Sequence, residues 1–328
     1  MASKPSIGGQ AVMEGVMMRG PVSWAVAVRK PSSEIAVETH QITGPRHGIW
    51  KLPFFRGIFV LVESLGIGMR ALRISANYAL EEEDSDKQVP EKAIGWSMGV
   101  AIVFFSAIFI AIPAILSKLG GKWLGVHSTF LKDVVEGAIR IGFFLGYIFA
   151  ISFIPDIKRV FQYHGAEHKT IYAYENDDPL EPEVVDRYTT LHVRCGTNFL
   201  FIVMFLTIIF HFGLDLLLHG QKIYVLVAAR VLLIPLLAGS SYEVIRAAGK
   251  NEDSKIFRIA SLPGLALQKV TTKPPTHEQI EVAIKAMEAV IARQSIVEPA
   301  QAAETMTVKQ LDSSVPEGTV PEPGPAPG

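Results

Sequence analysis

The stretch FQYHGAEHKT, Phe161 to Thr170, carries two histidines four residues apart with a glutamate between them. Four residues are about one helical turn, so His164 and His168 share a face and both imidazoles can reach one ion. Glu167 follows the first histidine by three positions and adjoins the second. H-x-x-E-H is the order found in the inverted zinc metalloproteases, where the glutamate is the general base. Neutral imidazoles suit zinc, and a nearby carboxylate can accept a proton from a metal-bound water. Two histidines do not make a site. LHVRCGTNF supplies His192 and Cys195, three residues apart, as further ligands. Such nitrogen and sulfur donors favour zinc or another divalent transition metal over magnesium or calcium. With four ligands bound the site is closed and structural; with three, a position stays open for water and catalysis. The competing account is an interfacial helix whose histidines face lipid headgroups.

Two other stretches carry charge near glycine or a helix end. GGQAVMEGVMMRGP, Gly8 to Pro21, has neither the GK[ST] of a phosphate loop nor the G-x-G-x-x-G of a dinucleotide fold. Its glycines permit tight turns that bring Glu14 and Arg19 toward the histidines, and its methionines read as gap-filling core. SYEVIRAAG sets Glu243 and Arg246 one turn apart, either as a plain surface pair or, at the membrane face that carries the histidines, with Glu243 as a further ligand or a supporting group beside Arg246.

The elements that must position these residues are apolar. The chain has 328 residues, 49% hydrophobic and 19% charged, with a mean hydropathy of +0.30, which points to a membrane protein and makes the lipid bilayer a partner. A net charge of -1 excludes an overall attraction to nucleic acid. A single cysteine excludes an internal disulfide and fits a reducing compartment. No apolar signal-peptide core follows the N-terminal methionine. The fold class expected is mainly α: a polytopic membrane protein with about four transmembrane helices, a small N-terminal β-hairpin region and cytoplasmic helices.

The expected spans are Gly95–Leu116, Ala138–Ile154, Thr197–Leu218 and Ile223–Ser240. Lysines and arginines concentrate before the first span, between the second and third, and after the fourth. The positive-inside rule then places both termini and the 156–196 loop in the cytoplasm, as a multi-pass protein of the bacterial cytoplasmic membrane. Within the bilayer, Arg230 is expected to pair with Asp215 across the short HGQK turn, near His211.

Five regions follow. Residues 1–48 form a Gly-rich segment with a hairpin, since WAVAVRKPSSEIAVETHQI alternates on both sides of RKPSSE. Residues 49–94 form an amphipathic interfacial helix and an acidic linker; a span there would bury Glu63. Residues 95–241 are the four-span bundle with the 156–196 motif loop. Residues 242–297 are cytoplasmic and helical, opened by a capping box at Thr276 and Gln279 before the stripe Ile280, Ala283, Ile284, Met287, Val290 and Ile291. Residues 298–328 read as a disordered tail.

GGQAVMEGVMMRGP, YHGAEHKTIYAYE, LHVRCGTNF and SYEVIR, in that order, resemble the YqhQ-like bacterial membrane proteins, a domain-of-unknown-function family labelled as predicted metal-dependent enzymes. The resemblance covers about residues 6 to 293 and implies a polytopic membrane protein with a metal site. His164, Glu167, His168, His192 and Cys195 fall on the family's polar motifs position by position. The chain reads LHVRCG where the family pattern has LHPRCG, which relaxes a turn and removes no ligand. The function expected is a membrane-embedded metal-dependent enzyme, a zinc hydrolase of unknown substrate at the cytoplasmic face, with Glu167 as base. The alternative is a non-catalytic membrane scaffold with a structural metal site. A small transporter using Arg230, Asp215 and His211 is a third reading, and self-association as a homo-oligomer stays open.

Overall fold

The computed structural model describes residues 4–42, 52–79, 129–193, 195–218, 221–249 and 255–313, with scattered positions between 96 and 116. The hairpin expected around RKPSSE is present, as β3 (Ser23–Arg29) paired antiparallel with β4 (Ile35–Gln41). Two earlier strands, β1 (Gly8–Val12) and β2 (Gly15–Arg19), extend it to a sheet of order β1-β2-β3-β4. Gly8, Gly9 and Gly15, expected at tight turns, lie within these two strands.

Alternation splits the sheet into two faces. Val16, Met18, Ala25 and Ala27 enter one core, and Val12, Met17, Trp24, Val26 and Val28 enter another. The first face is covered by α9 (His277–Ser313). Its Ile280, Ala283, Ile284, Met287 and Val290 are all buried there, as the helical stripe requires. Each large side chain so buried contributes about 1.5–3 kcal/mol. The Thr276 and Gln279 capping box forms reciprocally, at 3.0 and 3.3 Å, and fixes where that helix starts. Helix α9 continues past Glu298, where the composition turns to alanine.

The second face takes α1 (Phe55–Ala79), through Ile67 and Ala71. Glu63 on this helix is paired with Arg19 of β2. The opposite side of α1 exposes Leu61, Val62 and Leu65.

The remaining helices of the continuously described residues are α2 (Thr129–Ile151), α3 (Pro155–Glu175), the short α4 (Pro182–Val185), α5 (Gly196–Leu217), α6 (Ile223–Leu232), α7 (Ile234–Gly249) and α8 (Lys255–Thr271). Among the described residues, two windows are long and apolar enough to cross a membrane, Val134–Ile151 and Gly196–Leu217. Little of either is buried inside the protein: 6% of the first, and Asn198 in the second. A helix at the core of a soluble domain would be covered. The first expected span, Gly95–Leu116, lies outside the continuously described residues. The fourth, Ile223–Ser240, runs through two helices of 10 and 16 residues that part at Leu233. Pro235 has no N–H to offer Val231, so the ladder breaks between bonds from Leu233 to Ala229 and from Leu237 to Leu233.

Arg230 meets Asp215 at 3.1 Å and Glu136 at 3.5 Å, while Arg140 meets Glu136 at 2.8 Å. The expected pair is therefore part of a four-charge chain joining α2, α5 and α6.

Candidate metal centre

Helix α3 carries the H-x-x-E-H residues. Pro155 at its first turn separates it from α2, and Asp156 there complements the helix dipole. From Gly165 to Ile171 every residue is buried, because the sheet and α9 lie on one side and the 190–198 and 268–273 segments on the other. Gly165 has a specific role. A Cβ there would collide with the Lys273 carbonyl oxygen, so only glycine lets this strap cross the helix. Lys273 N–H donates in turn to the Phe161 carbonyl at 2.9 Å.

That strap orients the first histidine. His164 Nδ1 lies 2.9 Å from the Thr271 carbonyl, and His168 Nδ1 lies 2.6 Å from the Thr190 carbonyl. A carbonyl oxygen can only accept, so each Nδ1 carries the hydrogen and each Nε2 keeps its lone pair. Carbonyl-held imidazoles of this kind are the usual support of metal-ligating histidines. Cys195, the N-cap of α5, brings Sγ to 3.3 Å from His164 Nε2. The ligand atoms of His164, His168 and Cys195 all lie within 4.8 Å of one another. His168 Nε2 is buried and has no hydrogen-bond partner. Tetrahedral zinc with bonds of about 2.0 Å to nitrogen and 2.3 Å to sulfur needs N and S about 3.5 Å apart. The 3.3 Å separation fits it.

Glu167 faces the sheet beside this cluster. Its carboxylate accepts the Ala11 N–H of the edge strand β1, and Oε2 has no partner. Strand and helix come this close because Gly9 lacks a side chain; a Cβ there would sit 2.7 Å from the Glu167 carboxyl carbon. Burial pushes the Glu167 carboxyl up to about 7, against the pull of His164 and the Ala11 N–H. Burial also lowers the His168 pKa, favouring the neutral form that ligates metal.

His192 stands beside the cluster and not in the converging set. Gln268 clamps its backbone, accepting its N–H at 2.7 Å and donating to its carbonyl at 2.8 Å. Its ring packs on Tyr172 with Nε2 3.3 Å from Glu175, 5.6 Å between centroids from His168. The headgroup account does not hold for His168, which is 1% exposed, while His164 is half-buried.

The expected supporting groups go elsewhere. Glu14 binds Arg159, with one bond of 2.6 Å, and accepts Tyr163 Oη at 3.3 Å, tying the β1–β2 turn to α3 just before His164. Arg19 is engaged with Glu63 and Ser64. Glu243 accepts Arg56 Nε at 2.7 Å and Phe54 N–H at 3.1 Å, which docks α1 on α7. Arg246, exposed on α7, lies near Glu243. Of the groups that do support the cluster, the Thr190 and Thr271 carbonyls and Gln268 gave no sequence signal. Gly9 alone was visible, as part of a glycine pair.

A helical bundle capped by a four-stranded sheet, with a His–His–Cys cluster at their junction, defines the class of protein. The chain belongs to the family described as "Protein of unknown function (DUF1385)", which it matches over residues 52–293. It is 35% identical over 310 residues to "Uncharacterized protein YqhQ" of Bacillus subtilis (strain 168), an alignment that spans 90% of this chain and 96% of that protein. No solved structure matches.

Proposed function

We propose that this is a multi-pass protein of the bacterial cytoplasmic membrane, with both termini cytoplasmic, that binds zinc or a similar divalent metal and hydrolyses a substrate at the membrane face. The observation carrying this reading is the convergence of His164 Nε2, His168 Nε2 and Cys195 Sγ, with His168 Nε2 buried and unpartnered. These three side chains would hold the ion. Bound zinc would supply Lewis-acid chemistry and an activated water. Glu167, ionising near neutral pH, is the group placed to take up a proton at its free Oε2. His192 positions the Cys195 loop through its Gln268 clamp.

The test is a panel of chromogenic amide, ester and phosphoester substrates offered to detergent-purified protein. Glu167→Gln should keep wild-type metal content and lose the hydrolysis that the wild type performs. Loss of metal in that variant, or full activity, overturns the role given to Glu167. Burial favours a second reading, a scaffold with a structural site, because His168 is 1% and Glu167 5% exposed. Under it the metal has no exchangeable water by electron–nuclear double resonance of the cobalt-substituted protein, and stripping it unfolds the motif region.

A further inference from the structure

The two edges of the sheet are treated differently. At one, β1 lies against α3 and gives its Ala11 N–H to Glu167. At the other, β4 is open. It bonds to β3 through Ala36, Glu38 and His40, as the flanking bonds from Ile42 N–H to the Val22 carbonyl and from Lys30 N–H to the Glu34 carbonyl, each 2.9 Å, require. Antiparallel alternation then turns the N–H and C=O of Val37, Thr39 and Gln41 away from β3. Among the described residues no hydrogen bond reaches these outward groups. Edge strands are commonly blunted by lysine, proline or a bulge. IAVETHQ has no lysine or proline, and its register with β3 runs without a bulge. Val37 is 41% exposed, and Thr39 and Gln41 are exposed beside it. What such an edge accepts is another strand.

We infer that β4 pairs antiparallel with β4 of a second copy of this chain, joining the two four-stranded sheets into one about a two-fold axis at Thr39. That register sets Thr39 against Thr39, Val37 against Gln41 and Glu38 against His40, and closes about six backbone hydrogen bonds. Centring on Glu38 would oppose two carboxylates instead, which is unfavourable. Within the chain, His40 Nε2 lies 3.2 Å from Glu38, and Glu38 also accepts Tyr78 Oη at 2.8 Å. The pairing therefore adds a polar neighbour to each and relies on no free charge. The edge complements itself, which is the condition for a two-fold contact between identical surfaces. The axis of such a pair is perpendicular to the sheet, so both copies keep α1, with its outward Leu61, Val62 and Leu65, on the same side. Two copies inserted in one bilayer need that orientation. The pairing stands on the sheet alone; the shared bilayer rests on the multi-pass reading.

Thr39→Cys and Val37→Cys test this in the full chain, reconstituted at low density in vesicles and oxidised with copper phenanthroline. Wild type, whose one cysteine is Cys195, is the control. The two Thr39 Cα atoms of the pair stand about 5.5 Å apart, inside the range a disulfide spans. The two Val37 Cα atoms stand about 14 Å apart, because they are four residues out of register. Thr39→Cys should cross-link to dimers about tenfold faster than Val37→Cys, and Val37→Cys mixed with Gln41→Cys should cross-link again. Thr39→Lys puts two ammonium groups face to face. It should abolish energy transfer between donor- and acceptor-labelled chains while thermal stability in detergent stays at the wild-type value. Flotation of the vesicles reads membrane insertion separately, so failure of the membrane reading is distinguishable from failure of the pairing. Wild-type chains without energy transfer overturn the inference and leave the edge to a strand of another protein. Cross-linking of Val37→Cys as fast as Thr39→Cys, or energy transfer that Thr39→Lys leaves intact, overturns it as well.

Discussion

Two polar clusters sit in apolar surroundings, and they are resolved differently. In the α2–α5–α6 cluster, Glu136, Arg140, Asp215 and Arg230 balance to zero charge and pair with one another at 2.8–3.5 Å. Arg230 Nε lacks a hydrogen bond, yet the charge of its guanidinium is met on two sides. In the α3 cluster no such closure exists. The outer nitrogens of His164 and His168 are taken by backbone carbonyls, and their inner nitrogens converge with a thiol. Burying a polar atom without a partner is costly. A cluster that satisfies itself explains itself as a clamp between helices, whereas one that turns two imidazole lone pairs on a single thiol and leaves His168 Nε2 unpartnered calls for a ligand.

The contrast is sharpened most by removing one member of the self-satisfied set. Arg230→Ala leaves Asp215 without a cation and should destabilise the helices by about 3–5 kcal/mol. Replacing Arg230 and Asp215 together by methionine and leucine should recover most of that. Thermal unfolding in detergent reads both. Failure of the double variant to recover would give the pair a role beyond clamping.

Next in size is a pH effect at the unsatisfied cluster. The Glu167 carboxyl sits at about 7 in the folded protein against an ordinary 4.5. Between those values the unfolded chain loses its proton while the folded chain keeps it. The unfolded state then binds fewer protons, so stability falls as pH rises from about 4.5 to about 7 and levels off above. The contribution is on the order of 3 kcal/mol. Metal-free wild type should therefore lose more thermal stability than Glu167→Gln between about pH 5 and about pH 7.5. Equal losses would place the carboxylate in a polar setting.

Gln268→Ala comes third. Losing both bonds to the His192 backbone should cost about 1–3 kcal/mol and weaken metal affinity roughly tenfold, by freeing the loop that carries Cys195. Calorimetric metal titration checks it. The smallest effect is expected at Glu243→Gln, which should leave metal stoichiometry unchanged, because Glu243 is committed to Arg56 and Phe54.

What was legible in the sequence follows from how far apart partners lie along the chain. His164 and His168 share a face because helical periodicity is local, and the Thr276 and Gln279 box is set by three residues. Arg230 and Asp215 pair across a short turn, 15 residues apart. Cys195 reaches His164 because α2–α3 and α5 meet at one end of the bundle, a consequence of hairpin geometry. The rest depends on long-range packing. Arg19 finds Ser64, Glu243 finds Arg56, and Thr271 finds His164 across 45, 187 and 107 residues. No composition or spacing encodes those meetings. His192 was drawn to the ligand set by its distance from Cys195, but Gln268, 76 residues on, fixes its backbone and Tyr172 its ring.

The most direct test of the metal centre is elemental analysis by mass spectrometry of detergent-purified protein, wild type beside the His164→Ala, His168→Ala double variant. About one zinc or similar ion per chain in the wild type, lost in the variant, is the predicted result. Metal-free wild type that stays folded and takes up no added zinc would contradict it, and would make the convergent nitrogens a packing feature of α3.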